Sequence, residues 1–212
     1  MVKVYLSEQA NSILKRYLSE QGFDIFEVRK TGRVYDGIAS HPDIYFCRIS
    51  GQTVEAGEDL GFEYPENIKY NGVQIGRHFL HNTKHTAPSL LRTVRNSGLN
   101  IIHVNQGYTK CNTVSVDESS LITSDAGIAR AAEENGLQVL LIRQGHVRLT
   151  GFPYGFLGGA SGNSGSMVIF NGDLSAHSEH IAIRRFINER GLGIKDFPEY
   201  ELEDIGSIIF ET

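Results

Sequence analysis

Four times along the chain, a stretch with helix-spaced apolar positions ends at a glycine and gives way to a short apolar run. The junctions read SEQ-Gly22-FDIFEV, RNS-Gly98-LNIIHV, EEN-Gly136-LQVLLI and NER-Gly191-LGIKDF. Glycine after a polar last turn predicts the residue that closes a helix, because it enters the left-handed conformation without a Cβ clash. Apolar stripes precede the junctions: Ala10, Ile13, Leu14, Tyr17 and Leu18 in one, Leu90, Leu91 and Val94 in another, Ile183, Phe186 and Ile187 in a third. Thr86-Ala87-Pro88 supplies an N-cap and a first-turn proline for the second of these. An apolar strand is predicted ahead of each helix, at 4–6, 78–80, 121–123 and 167–170. A glycine-bearing turn and one more strand follow each junction, so the repeating unit reads β–α–β–β.

The four glycines are spaced by 76, 38 and 55 residues, the first interval being twice the second. A degenerate copy is therefore expected near Gly61, where no helical pattern precedes the glycine. Five units of roughly 42 residues account for residues 1–212 as one domain. A wedge of this kind cannot cover both faces of its small sheet alone. Five of them can close into an α/β propeller with helices outside, which also removes the exposed sheet edges of an open array.

Composition narrows the function classes. A net charge of −5 argues against a general nucleic-acid surface, and no apolar run approaches the length of a membrane span. The first 18 residues turn polar at Ser7, too early for a secretory leader. Two cysteines, Cys47 and Cys111, exclude a disulfide scaffold and fit a reducing cytoplasm. No cofactor-binding motif is present. The six-glycine segment at 151–165 lacks the Gly-Lys-Ser/Thr ending of a phosphate loop and leads into a strand. Its glycines predict close backbone approach near the propeller axis, with Tyr154 or Phe156 lining a pocket.

At this point the chain resembles the pentein, or guanidine-modifying-enzyme, superfamily, in which five such units surround a polar pocket. HPDIYFCRI at 41–49 is similar to a deiminase stretch reading approximately P-N-L-Y-F-T-R-D, with Pro42, Tyr45, Phe46 and Arg48 matching. EDIGSIIF at 203–210 is similar to the terminal G-G-N/S-x-H-C segment, with Gly206 and Ser207 matching. The resemblance implies a catalytic or guanidinium-binding Asp where Ile49 stands, and a His–Cys pair where Ile209 and Phe210 stand. Ile and Phe offer neither nucleophile nor proton, so standard guanidine hydrolysis is not expected. QGYTKCNTVSVDE, ITSDAGIA and GFPYGFLGGASG resemble stretches of small bacterial proteins known by this fold, which implies the fold and no activity.

Several residues remain as candidates. Read as a strand, 106–118 puts Cys111 on a polar face with Thr109, Thr113 and Ser115, while Lys110 and Asn112 point the other way. Cys111 is then either a buried thiol or a nucleophile needing a His from another unit, for which His41 is the candidate. Cys47, on a face with Tyr45, Asp43 and His41, is a lesser one. His41 and Asp43 read equally as a base with its orienting carboxylate and as a turn around Pro42. Asp125 and Asp173 read as helix caps, and His177 and His180 as an exposed pair without a completed metal-ligand set. If the ring closes, Asp43, Asn112 and Asp204 converge on one axis, and Arg48, Tyr154, Asp173 and His177 join them as ligand-binding candidates. Three function classes follow: a pocket for a small polar or cationic, guanidino-like ligand; a Cys111-dependent hydrolase or amidinotransferase; and a non-catalytic protein-interaction platform.

Overall fold

The computed structural model describes residues 2–211. The first sheet holds β1 (Lys3–Ser7) and β2 (Asp24–Val28), joined by α1 (Ser12–Glu20). After the single helical turn α2 (Pro42–Tyr45), the second sheet is only the hairpin of β3 (Phe46–Ile49) and β4 (Gln52–Glu55). The third contains β5 (Val73–Ile75), β6 (His78–His81), α3 (Pro88–Asn96) and β7 (Asn100–His103). The fourth contains β8 (Thr113–Ser115), β9 (Ser120–Thr123), α4 (Ala126–Glu134) and β10 (Gln138–Leu141). The fifth contains β11 (Ser161–Asn163), β12 (Met167–Phe170), α5 (His180–Asn188) and β13 (Gly193–Lys195). The last strand, β14 (Ile209–Phe210), returns to pair antiparallel with β1.

Five small sheets thus form the expected α/β propeller. The chain order is the β–α–β–β of the sequence pattern, but hydrogen bonding frames the unit one strand earlier. The strand after each helix pairs parallel with the strand before it, and the next strand forms an antiparallel hairpin within the following sheet. The short turns 76–77 and 116–119 favour that hairpin pairing over a return to the strand already left. The degenerate second unit is the hairpin without its helix. Gly61 does not repeat the junction, because residues 56–72 form no strand and hold only one 3-10 turn. The segment has no helix-spaced apolar stripe and is broken by Gly57, Gly61 and Pro65.

The four predicted closing glycines, Gly22, Gly98, Gly136 and Gly191, all have φ between 67° and 82°. Each helix buries the face its stripe predicts. Leu14 and Leu18 pack with Val4, Leu6 and Phe210, and Leu90 and Val94 with Phe79 and Ile44. Ile183 and Ile187 pack with Val168 and Phe170. Thr86 does not cap α3. Its hydroxyl lies 2.7 Å from His81 Nδ1, and Ala87 takes the cap position. Asp125 caps α4, accepting from the amides of Gly127 and Ile128. No helix among the described residues is long and apolar enough to cross a membrane.

The inner strands β3, β5, β8, β11 and β14 pack side by side around the axis. Just ahead of them, the backbone is linked head to tail. Lys110 N–H donates to Asn71 O (3.0 Å), Gly159 N–H to Cys111 O (2.7 Å) and Ser207 N–H to Gly159 O (2.7 Å). Asp43 N–H donates to Gly206 O (3.0 Å), and the Asn71 side-chain amide donates to Asp43 O (3.1 Å), which completes the circuit.

Closure of the first sheet rests on two residue pairs, Val4 with Phe210 and Tyr5 with Ile209. Phe210 is 5% exposed and meets Phe23 edge-on, whereas Phe26 on the neighbouring strand is 47% exposed. Phe210→Ala is expected to cost about 3–5 kcal/mol in urea denaturation. Phe26→Ala is expected to cost about 1 kcal/mol or less.

Candidate functional site

Asn71, Cys111, Gly159 and Ser207 each stand two residues before an inner strand. The backbone circuit therefore places them together at the centre. Asp43 joins them because Pro42, with its fixed φ, starts the helical turn α2 and His41 takes its N-cap position. Asp43 Oδ2 accepts from Ser207 Oγ (2.7 Å) and from Cys111 Sγ (3.0 Å). Lys110 Nζ reaches Ser207 Oγ at 3.2 Å, and the Asn71 amide reaches Cys111 Sγ at 3.5 Å. Asp204 is held by the amides of Phe156 (2.9 Å) and Gly206 (3.0 Å), and its Oδ1 lies 3.9 Å from His41 Nδ1.

Two glycines make this approach possible. A Cβ on Gly159 would overlap the Asp204 carboxylate, and a Cβ on Gly206 would overlap His41. Gly206 also has φ 74°, and Ser207 after it has φ 71°, a conformation uncommon for a residue with a side chain. Ser207 is held there by the bond its hydroxyl makes to Asp43.

Burial sets the electrostatics. Asp43, Asp204, His41 and Cys111 are at most 4% exposed. Burial raises Asp43, moves Asp204 up to about 6, lowers His41 to about 4 and lowers Lys110. Cys111 is pushed well up by burial and then by the neighbouring charges of Asp43 and Asp204. His41 and Asp204 are therefore not an ion pair at neutral pH. Among the described residues, His41 Nδ1 and Asp43 Oδ1 are buried polar atoms without a hydrogen-bond partner.

A cavity of 260 Å³ lies over this cluster, lined by His41, Cys111 and Asp204 and by the rings of Tyr35, Tyr108 and Tyr154 among others. The Tyr35 and Tyr108 hydroxyls meet at 3.0 Å, and Tyr108 donates to Asn67 Oδ1. A larger cleft of 630 Å³ shares Tyr35, His41, Phe152 and Asp204 with it. Elsewhere, Arg48, Lys110, Ile209 and Phe210 line a separate cavity of 130 Å³. Lys110 thus lies between a carboxylate-bearing cavity and one where the resemblance expects a His–Cys pair and the chain has Ile and Phe. Ile49, at the expected Asp position, is fully buried in the core.

The structure brings His41, Asp43, Cys111 and Asp204 together, with Tyr154 over them. It does not bring in the other candidates. Arg48 lines the other cavity and donates to Thr53 Oγ1. Asn112 turns to the β9 end, where its Oδ1 accepts from Thr123 and Ser124. Asp173 accepts from Ser175 N–H and caps a 3-10 turn instead of α5. His177 is buried, not half of an exposed pair, and packs on His146 with ring centroids 4.7 Å apart. The strand expected at 106–118 begins only at Thr113, and Cys111 lies in the preceding turn. Period-two facing therefore fails there, and Lys110 points into the cluster instead of away. Cys47 donates to Gly72 O at 3.4 Å, with burial pushing its thiol up to about 12.

Lys110, Ser207, Asn71, Tyr35 and Tyr108 are the site residues that sequence reasoning missed. The signal for Asn71 and Ser207 was their offset from an inner strand, the same as that of Cys111.

The model of a family of unknown function (DUF6873) matches residues 51–209. No curated protein sequence matches the chain. Among solved structures, the chain is similar to a dimethylarginine dimethylaminohydrolase adduct with 4-chloro-2-hydroxymethylpyridine, at TM-score 0.58 and 12% identity over 92% of each chain. It is also similar to a cysteine mutant of DDAH from Pseudomonas aeruginosa complexed with citrulline. That match has TM-score 0.55 and 11% identity, covering 96% of this chain and 92% of the other.

Gly206→Ala is expected to cost at least ~1–3 kcal/mol from backbone strain alone, and to displace His41. In the wild-type protein, imidazole NMR is expected to show His41 neutral at pH 5 and titrating near 4. The unfolded chain protonates its histidines near 6.5, so His41 removes stability as pH falls from about 6.5 towards 4. A His41 titration near 6.5 in the folded protein would contradict the burial described.

Proposed function

The chain belongs to this family of unknown function and has the pentein fold of the guanidine-modifying enzymes, and we propose that its axial pocket binds a small organic cation of the guanidino or amidine type. One observation carries the reading: two buried carboxylates, Asp43 and Asp204, stand by one half-buried cation, Lys110, and Asp204 opens into an aromatic-lined cavity. Burial raises both carboxyls, and a cation placed beside them favours their charged form, so two carboxylates facing one ammonium leave room for a second positive charge. A planar cation is of a size for 260 Å³. It gains hydrogen bonds from carboxylate oxygens and about 0.5–2 kcal/mol from each tyrosine face it covers. The unpartnered Asp43 Oδ1 is an acceptor suited to it. The citrulline carried by the P. aeruginosa relative is a ligand of related shape.

The same geometry speaks against Cys111 as a nucleophile. Its thiol gives its hydrogen to Asp43, and a thiolate there would be repelled by two carboxylates. Binding without guanidine hydrolysis is the function this pocket supports best. Slow alkylation of native Cys111 by iodoacetamide at neutral pH follows from the same argument, with fast labelling only after denaturation.

Thermal-shift and calorimetric titration with agmatine, arginine and methylguanidine test the reading. At 100 times its dissociation constant, a bound ligand adds about 2.7 kcal/mol of stability. Citrulline, whose ureido group carries no charge, is expected to bind more weakly than arginine here. Affinity for the cations should fall as pH drops below about 6, where Asp204 takes up a proton. Asp43→Asn should weaken binding by at least about tenfold. Equal binding of agmatine and citrulline, or affinity independent of pH between 5 and 7, would overturn the proposal.

A further inference from the structure

Three buried donors of different chemistry meet at the floor of the pocket. One imidazole nitrogen of His41, one carboxylate oxygen of Asp43 and the Cys111 sulfur all lie within 4.8 Å of one another. Among the described residues, no other group of three His, Cys, Asp or Glu side chains lies so close. Two of the three carry a buried polar atom with no partner, His41 Nδ1 and Asp43 Oδ1. A buried polar atom left unsatisfied costs about 1–3 kcal/mol, so two neighbouring side chains that each carry one mark a place where a further occupant gains bonds. We propose that His41, Asp43 and Cys111 form a binding site for a divalent transition-metal ion of the zinc type, with an open coordination position facing the aromatic cavity.

The donor set fits that class of ion. Imidazole nitrogen with thiolate sulfur selects zinc and its neighbours over calcium or magnesium, which take oxygen. Zinc bonds of about 2.0–2.3 Å in a tetrahedron put donor atoms about 3.5 Å apart. Cys111 Sγ and Asp43 Oδ2 already stand at 3.0 Å, so the imidazole moves by little more than an ångström to close the third side. His41 and Cys111 both line the cavity, which leaves the fourth direction to water or a ligand. The outer contacts also suit: Ser207 donates to Asp43, and Asn71 donates to the sulfur.

Metal uptake exchanges one proton for the ion. The Cys111 S–H bond breaks, its proton passes to solvent, and the freed electron pair forms the sulfur–metal bond. Thiolate, Asp43 and Asp204 then carry three negative charges, matched by the divalent ion and Lys110. This inference rests on the donor atoms and stands apart from the organic-cation reading, because Cys111→Ser removes the ion while leaving carboxylates and tyrosines in place.

Titration of the metal-free full-length protein with Co²⁺, followed by Zn²⁺, tests the site. One equivalent of Co²⁺ should give a thiolate-to-cobalt charge-transfer band that Zn²⁺ abolishes, with roughly one proton released per ion. The band should persist in Cys47→Ser and be absent in Cys111→Ser, and His41→Gln should weaken cobalt binding at least about tenfold. If Cys111→Ser does not fold, His41→Gln and Asp43→Asn decide by the same readout. No band, a band that survives Cys111→Ser, or cobalt bound without a thiolate signature would overturn the proposal. Agmatine binding by Cys111→Ser reports separately on the pocket's other reading.

Discussion

The circuit of hydrogen bonds around the axis is the constraint on which the rest of the molecule depends. Four links run backbone to backbone, Asn71 to Lys110, Cys111 to Gly159, Gly159 to Ser207 and Gly206 to Asp43, and the Asn71 side chain closes the fifth onto Asp43. Buried peptide groups have no water to turn to, so every link left open would cost as much as a lost core contact. Five-fold closure is thus a hydrogen-bond requirement as well as a packing solution. It also fixes which side chains meet, because residues at one offset from their strands are drawn to one point.

That convergence explains the electrostatics. Groups that would be unremarkable on a surface are forced into a shared, nearly dry centre, where burial is the largest influence on each of them. The molecule answers with one cation, Lys110, and with a hydroxyl and a thiol donor aimed at the Asp43 carboxylate. The positions that match the superfamily's reacting pair have gone the other way. Ile209 and Phe210 are buried and apolar, and serve the closing strand. Polar chemistry in this chain is concentrated on the other side of Lys110.

Much of the fold was legible because glycine and periodicity act locally. The junctions at Gly22, Gly98, Gly136 and Gly191 each reflect one backbone geometry, and the stripes of Leu14, Leu90 and Ile183 each reflect one buried face. Pairing was less legible: nothing local tells the strand after Gly98 to join the one at 78–81 and release the next to the following sheet. For the site, His41, Asp43, Cys111 and Asp204 could be picked out as residue types near predicted pocket segments. Alternation would turn Lys110 away from Cys111, but alternation holds only in a strand, and residues 109–112 form a turn. Asp173 and His177 do not join the axial cluster because each answers a local need, a cap and a ring contact. Tyr35 and Tyr108 gave no signal, since only the folded ring brings units so far apart in sequence together.

The seam between β1 and β14 has a consequence for how the chain matures. Asp43 emerges from the ribosome long before Ser207, yet its Oδ2 and its amide are both bonded by the 206–207 segment. Until synthesis has passed Phe210, the first of the five sheets lacks its β14 edge, and Asp43 lacks its contacts to the 206–207 segment. Residues 206–210 thus close the first sheet and also supply Asp43 partners, so the seam and the floor of the pocket share one short stretch of chain.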